Sequence, residues 1–130
     1  MRVLLDTHTL IWFLENNPKL SPKAKSLIEN LANDVFVHAV SWFEMAIKIK
    51  IGKLVLPDPV EVVFAKAAAN RIDTIRITAA QLTAYNALPL FEEHRDPFDR
   101  LIIATAIQQE LSILSDDPKF PLYTEAQVVW

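Results

Sequence analysis

Six acidic side chains at four places along the chain carry the chemistry that can be read from it: Asp6, Glu44, Asp96 with Asp99, and Asp116 with Asp117. Carboxylates offer only oxygen, and all-oxygen ligand sets suit the hard cations Mg2+ or Mn2+. There is no cysteine, which excludes disulfides, zinc–thiolate centres and a cysteine nucleophile. Carboxylates gathered in one pocket repel, and some take up protons unless a cation neutralises them. Two divalent ions about 3.5–4 Å apart can activate a water and stabilise the leaving oxygen of a phosphodiester. Each acid also has an ordinary structural use. Asp6 can cap a following helix. Glu44 can complete an S-x-x-E capping box with Ser41, and it stands at i, i+4 from Lys48. Asp96 is a natural N-cap ahead of Pro97, which leaves Asp99 in a first turn where the helix dipole favours an acid. Asp116 and Asp117, ahead of Pro118, suit a turn. Chemistry becomes the better reading if the fold brings these positions together.

The elements that would do so are short apolar runs alternating with helical patterns. Residues 3–5, 35–37, 72–77, 112–115 and 127–130 read as strands. Residues 8–16 read as a helix, and Ser21-Pro22 opens another to about residue 32. The Ser41 box predicts a helix to about residue 51, and Asp58-Pro59 one to about residue 70. A second box, Thr78 with Gln81, predicts a helix to residue 87, and Asp96-Pro97 a long, largely apolar one to residue 110. Alternating strands and helices imply an α/β fold, a parallel sheet covered on both faces. In such sheets ligands bind beyond the carboxyl ends of the strands. Asp6 follows the first strand, and Asp116 and Asp117 follow the fourth. Glu44 falls in the first turn after the second strand, and Asp96 and Asp99 open the long helix.

Composition narrows the field. The chain has 130 residues, 52% hydrophobic and 22% charged, enough to bury a core as one domain over 1–130. A single glycine, Gly52, excludes a glycine-rich phosphate loop. Asp6 interrupts the N-terminal apolar run too early for a signal peptide, and no run reaches the roughly 18–20 apolar residues of a membrane span. The expectation is a soluble cytoplasmic protein with no membrane contact. The net charge of −3 is not that of a typical nucleic-acid binder. Bound divalent cations would reverse the local sign of an acidic site and let it meet a polyanion.

The motifs taken in order are Leu4-Leu5-Asp6-Thr7-His8, then Ser41-Trp42-Phe43-Glu44-Met45-Ala46-Ile47-Lys48, then Asp96-Pro97-Phe98-Asp99-Arg100-Leu101-Ile102-Ile103-Ala104, then Ser115-Asp116-Asp117-Pro118-Lys119-Phe120. This set resembles the PIN-domain family, in particular the VapC-like toxin ribonucleases of type II toxin–antitoxin systems. The resemblance covers essentially the whole chain. It implies a three-layer α/β/α fold with a short parallel sheet flanked by helices, and an Mg2+- or Mn2+-dependent endoribonuclease site. Asp6, Glu44 and Asp99 match the family's three main acids, and Asp117 the fourth, with Asp116 as its competitor. Thr7, Ser41, Ser115, Asp96 and Asp116 would stand just behind the ligands. Ser115 falls where threonine is common. The resemblance also implies an RNA substrate, a cognate antitoxin whose peptide covers the acid pocket, and a homodimer.

On this reading Asp6, Glu44 and Asp99 hold a first cation, with Asp117 helping, and cleavage leaves 5′-phosphate and 3′-hydroxyl ends. Lys48, Arg95 and Arg100, with Lys50 and Lys53, are candidates for phosphate contacts, or else a solvated charged rim. His8, His38 and His94 would allow a metal-free acid–base ribonuclease that passes through a cyclic phosphate, though no sequence feature pairs them. His38, near a strand end, fits a satisfied core residue. Trp12, Trp42 and Trp130 fit core or interface positions better than base stacking. A non-catalytic module with the same fold, binding RNA or protein, is the alternative from another class. A D-x-D-x-T phosphotransferase would need aspartate where His8 stands, and a receiver domain an acid pair where the first strand offers only Asp6.

Overall fold

The computed structural model describes residues Met1 to Trp130. Its strands are β1 (Arg2–Leu5), β2 (Asp34–His38), β3 (Ile72–Ile75), β4 (Ser112–Leu114) and β5 (Gln127–Val129). The helices are α1 (Thr7–Glu15), α2 (Pro22–Glu29), α3 (Ala39–Lys50), α4 (Val60–Ala69), α5 (Ala79–Ala87) and α6 (Pro97–Gln109). A 3-10 turn at Phe120–Leu122 lies between β4 and β5 and has no counterpart in the sequence reading.

All strand pairs are parallel, in the order β3-β2-β1-β4-β5. The first strand is therefore central, with Leu5 level with Val37 on one side and with Leu114 on the other. Side chains alternate across a strand, and this splits the apolar residues between two cores. Val3, Leu5, Val35, Val37 and Leu114 pack with Leu10 of α1, Ala24 and Ile28 of α2, Met45 of α3 and Val63 of α4. Leu4 and Ile113 face the other way and pack with Leu101, Ile102, Ile103 and Ala106 of α6. The result is the expected α/β/α arrangement. α1 to α4 cover one face, and α6 with α5 covers the other.

Winding reverses at β1. β2 and β3 are added on one side of it, then β4 and β5 on the other. That reversal opens a crevice at the carboxyl ends of β1 and β4, the usual ligand position in open α/β sheets. α6 is buried from Arg100 to Ala106, as its apolar composition predicts.

The start of α3 corrects the sequence reading. The helix begins at Ala39, directly after β2, with His38 as N-cap: Val40 N–H donates to His38 Nδ1 at 3.0 Å. Ser41 and Glu44 therefore lie inside the helix and form no capping box. α4 starts at Val60 without a side-chain cap, and Asp58 instead pairs with Lys66. α2 stops at Glu29 because Asn30 is extended and its Oδ1 accepts from Ala32 N–H. The Thr78 and Asp96 caps form, but the second box does not close, because Gln81 Oε1 meets His38 Nε2 and Gln81 Nε2 donates to Arg76 O.

Candidate active site

Asp6 follows the central strand, and its backbone N–H donates to Leu114 O at 3.1 Å, which ties it to β4. Its side chain makes no cap bond to α1. Instead Ser115 Oγ donates to Asp6 Oδ2 at 2.8 Å. Asp6 is 4% exposed. Burial outweighs the Ser115 hydrogen bond, the nearby His8 and the Thr7 backbone, and with a small addition from the Glu44 charge it pushes the pKa from 3.8 to about 6.

Asp99 stands in the first turn of α6, and there the structure goes beyond a helix-dipole role. Burial raises its pKa from 3.8 to about 8, and the charges of Asp6, Asp96, Glu44 and Asp117 all push the same way. Its Oδ2 lies 3.2 Å from His94 Nε2. Asp96 is the helix cap, accepting from Phe98 N–H and Asp99 N–H.

Glu44, one turn into α3, is buried, and its Oε2 pairs with Lys48 Nζ at 3.1 Å. The other oxygen, Oε1, is buried with no partner at all. A buried polar atom left unsatisfied costs about 1–3 kcal/mol, more when charged, so such an atom points to a ligand.

Asp117 is half-buried and Asp116 exposed. Asp117 N–H donates to Ser115 Oγ at 3.1 Å, so one hydroxyl links Asp117 to Asp6. Asp117, not Asp116, is among the charges that raise Asp99. Thr7 Oγ1 donates to Ser41 Oγ at 2.8 Å and locks α1 to α3 behind the acids.

Asp6, Asp99, Asp116 and Asp117 share the wall of one open cleft of about 530 Å³, with Asp96 beside them. Glu44 is not part of that wall, although its charge reaches both Asp6 and Asp99. No three His, Asp or Glu side chains converge closely enough to form a ready ligand set.

Of the basic candidates, Arg95 lies on the cleft wall and Lys48 is held by Glu44. Arg100 is a correction. It is buried, its Nη1 donates to Pro89 O and Tyr123 Oη, and its guanidinium lies over the Tyr85 ring, so it is not free to meet a phosphate. Lys50 and Lys53 are not on this wall, whereas Lys119, which the sequence reading passed over, is. His38 is a satisfied core residue as expected, with Nε2 2.8 Å from Gln81 Oε1 and a pKa lowered by burial. His8 and His94 both line the cleft. Trp42 is buried, and its Nε1 donates to Thr74 Oγ1. Trp12 reaches the cleft wall and packs edge-on against Trp130.

A five-stranded parallel sheet with its acids at the switch between β1 and β4 defines an α/β protein with an acidic site at its carboxyl edge. The PIN domain family model matches residues 3–125, and the chain belongs to that family. It is 35% identical over 115 residues to Ribonuclease VapC22 of Mycobacterium tuberculosis (strain ATCC 25618 / H37Rv), covering 88% of this chain and 86% of that protein. Solved structures with the same fold include VapBC2 from Rickettsia felis bound to a DNA fragment from their promoter. The match there has a TM-score of 0.74 and 16% identity, over 99% of this chain and 98% of that one. Another is FitAcB from Neisseria gonorrhoeae, with a TM-score of 0.65 and 18% identity over 98% and 96%. No helix is long and apolar enough to cross a membrane.

Proposed function

We propose that residues 1–130 act as a single PIN domain, a divalent-metal-dependent endoribonuclease that forms the toxin of a toxin–antitoxin pair. Kinship with Ribonuclease VapC22 supports nuclease activity, and the VapBC complexes among the structural neighbours support an antitoxin partner. A homodimer follows from the resemblance alone, and a cytoplasmic location is the reading of the composition.

The observation that carries the metal-dependent reading is the unpartnered, buried Glu44 Oε1, on a carboxylate whose charge reaches Asp6 and Asp99, two acids whose pKa values are pushed up to about 6 and about 8. An arrangement that is unfavourable by itself becomes favourable when a cation neutralises it. The donor set, all oxygen with no thiolate, fits Mg2+ or Mn2+. Asp6, Glu44 and Asp99 would hold the ion, with Asp117 helping directly or through water. When bound, it would supply an acidified water and stabilise charge on the phosphate. Ser115 fixes Asp6 and Asp117 together, Thr7 and Ser41 fix the helices that carry the acids, and Arg95 and Lys119 offer phosphate contacts at the rim. Hydrolysis would leave 5′-phosphate and 3′-hydroxyl ends.

Because His8 and His94 face the same cleft, metal-free histidine chemistry is the rival to test. The experiment is cleavage of end-labelled RNA with Mg2+ or Mn2+, with chelator, and with Asp6→Asn and Asp99→Asn. Metal-dependent cleavage with 5′-phosphate ends, reduced at least about 100-fold in both variants, is expected. Chelator-resistant cleavage with cyclic phosphate ends would instead establish histidine chemistry. No cleavage and no metal binding would leave a non-catalytic PIN-like module.

A further inference from the structure

We infer that His94 is a positioning residue for Asp99, held by Tyr123 and Arg100, and that this row of hydrogen bonds decides which Asp99 oxygen stays free for a ligand in the acidic cleft. The inference deepens the nuclease reading and rests on it in taking that ligand to be a divalent cation.

Four side chains stand in sequence. Arg100 Nη1 lies 3.0 Å from Tyr123 Oη, Tyr123 Oη 2.8 Å from His94 Nδ1, and His94 Nε2 3.2 Å from Asp99 Oδ2. Arg100, Tyr123 and His94 are 4%, 1% and 4% exposed, so water does not compete along the row.

Donor and acceptor chemistry gives the row a direction. A guanidinium only donates, so Tyr123 Oη accepts from Arg100. An ionised Asp99 only accepts, so His94 Nε2 carries the hydrogen. The neutral ring then has Nδ1 as its acceptor, and the Tyr123 hydroxyl hydrogen fills it. Every donor meets an acceptor. The start of the row is fixed as well, because the same Arg100 Nη1 donates to Pro89 O at 2.9 Å and the guanidinium lies over the Tyr85 ring. His94 itself is held by a turn in which its N–H donates to Phe91 O.

With Oδ2 held by His94, Oδ1 is the Asp99 oxygen left for a ligand in the cleft that Asp99 lines. Asp6 is held in the same manner, its Oδ2 by Ser115. Hydrogen-bonded support of this kind orients metal-binding carboxylates, and its loss typically costs about 10–100-fold in metal affinity.

Two measurements test the row. The first needs no metal: ¹⁵N-histidine NMR at alkaline pH, about 9–10, where the imidazole is neutral and its tautomer can be read. His94 is expected as the Nε2–H tautomer, and Tyr123→Phe, which keeps the ring and removes the hydroxyl, should convert it to a tautomer mixture. An Nδ1–H tautomer in the unmodified protein overturns the proposal whatever the site binds. The second is Mn2+ titration by calorimetry, with thermal melts as a control for folding. His94→Leu should weaken Mn2+ binding about 10–100-fold, while His94→Gln, which places an N–H near the lost Nε2, retains most of it. Equal loss in both variants, or wild-type affinity in a folded His94→Leu, overturns the proposal. An Nε2–H signature in a protein that binds no Mn2+ supports the row and counts against the nuclease reading alone.

Discussion

Asp99 and Asp6 are acids that the fold holds against their own preference. The usual value of 3.8 rises to about 8 for Asp99 and about 6 for Asp6. Between these limits the folded chain keeps protons that the unfolded chain has released. The contribution of these two acids to the stability of the cation-free protein is therefore greatest near pH 4, falls as pH rises to about 8, and is flat above that, while buried neutral His38 and His94 contribute with the opposite sign below about pH 6.5. Urea denaturation in chelator across this range should show that slope, and Asp99→Asn should flatten most of it while gaining about 1–3 kcal/mol above pH 8. Divalent ions compete for the same oxygens, so Mn2+ affinity and cleavage should rise over that pH window. At this scale the sequence was informative where an acid borders an element. Asp6 and Asp99 were found because strand ends and helix starts are visible as pattern breaks. Arg100 was misjudged because it directly follows Asp99. Adjacent helical residues point about 100° apart, so two neighbours cannot both face one cleft. Tyr123 left no signal, since only folding brings it beside His94.

The helix α3 shows how an element can be right while its first turn is wrong. Ser41-Trp42-Phe43-Glu44 has the form of a capping box, but β2 runs into the helix without a loop, and His38 caps it instead. A local pattern cannot reveal that the preceding strand already supplies the cap. The two residues should therefore respond differently to substitution. His38→Leu leaves Val40 N–H and Gln81 Oε1 without their partner and is expected to cost about 1–3 kcal/mol. Ser41→Ala removes only the bond from Thr7 Oγ1 and is expected to cost about 0.5–1.5 kcal/mol. Urea midpoints at constant slope would separate them. An equal or larger loss from Ser41→Ala would restore the capping role to Ser41.

For the molecule as a whole, alternation of strands and helices was enough to predict a covered parallel sheet. The strand order was not legible, because periodicity identifies elements and not their partners. Both cores depend on that order. Ile103, fully buried against the face of the sheet that Leu4 presents, should cost about 2–5 kcal/mol as Ile103→Ala, read by thermal or urea unfolding. The net charge of −3 also acts at this scale. A mildly acidic molecule should hold RNA poorly in chelator and better with Mg2+, and gel-shift titrations with catalytically silent Asp6→Asn should show less of that gain than the unmodified protein.

The central position of β1 has a consequence for biosynthesis. The first strand to be made can take its place only when β4, which supplies Leu114 O to Asp6 N–H, has also been made, and Ser115 joins Asp6 to Asp117 across nearly the full length of the chain. A growing polypeptide therefore has every early acid but no assembled site. At about 5–20 residues per second, the interval before completion lasts several seconds. A chain of this topology begins its emergence from the ribosome without an assembled site, and its ability to cut RNA would switch on only once the segment through Asp117 has followed.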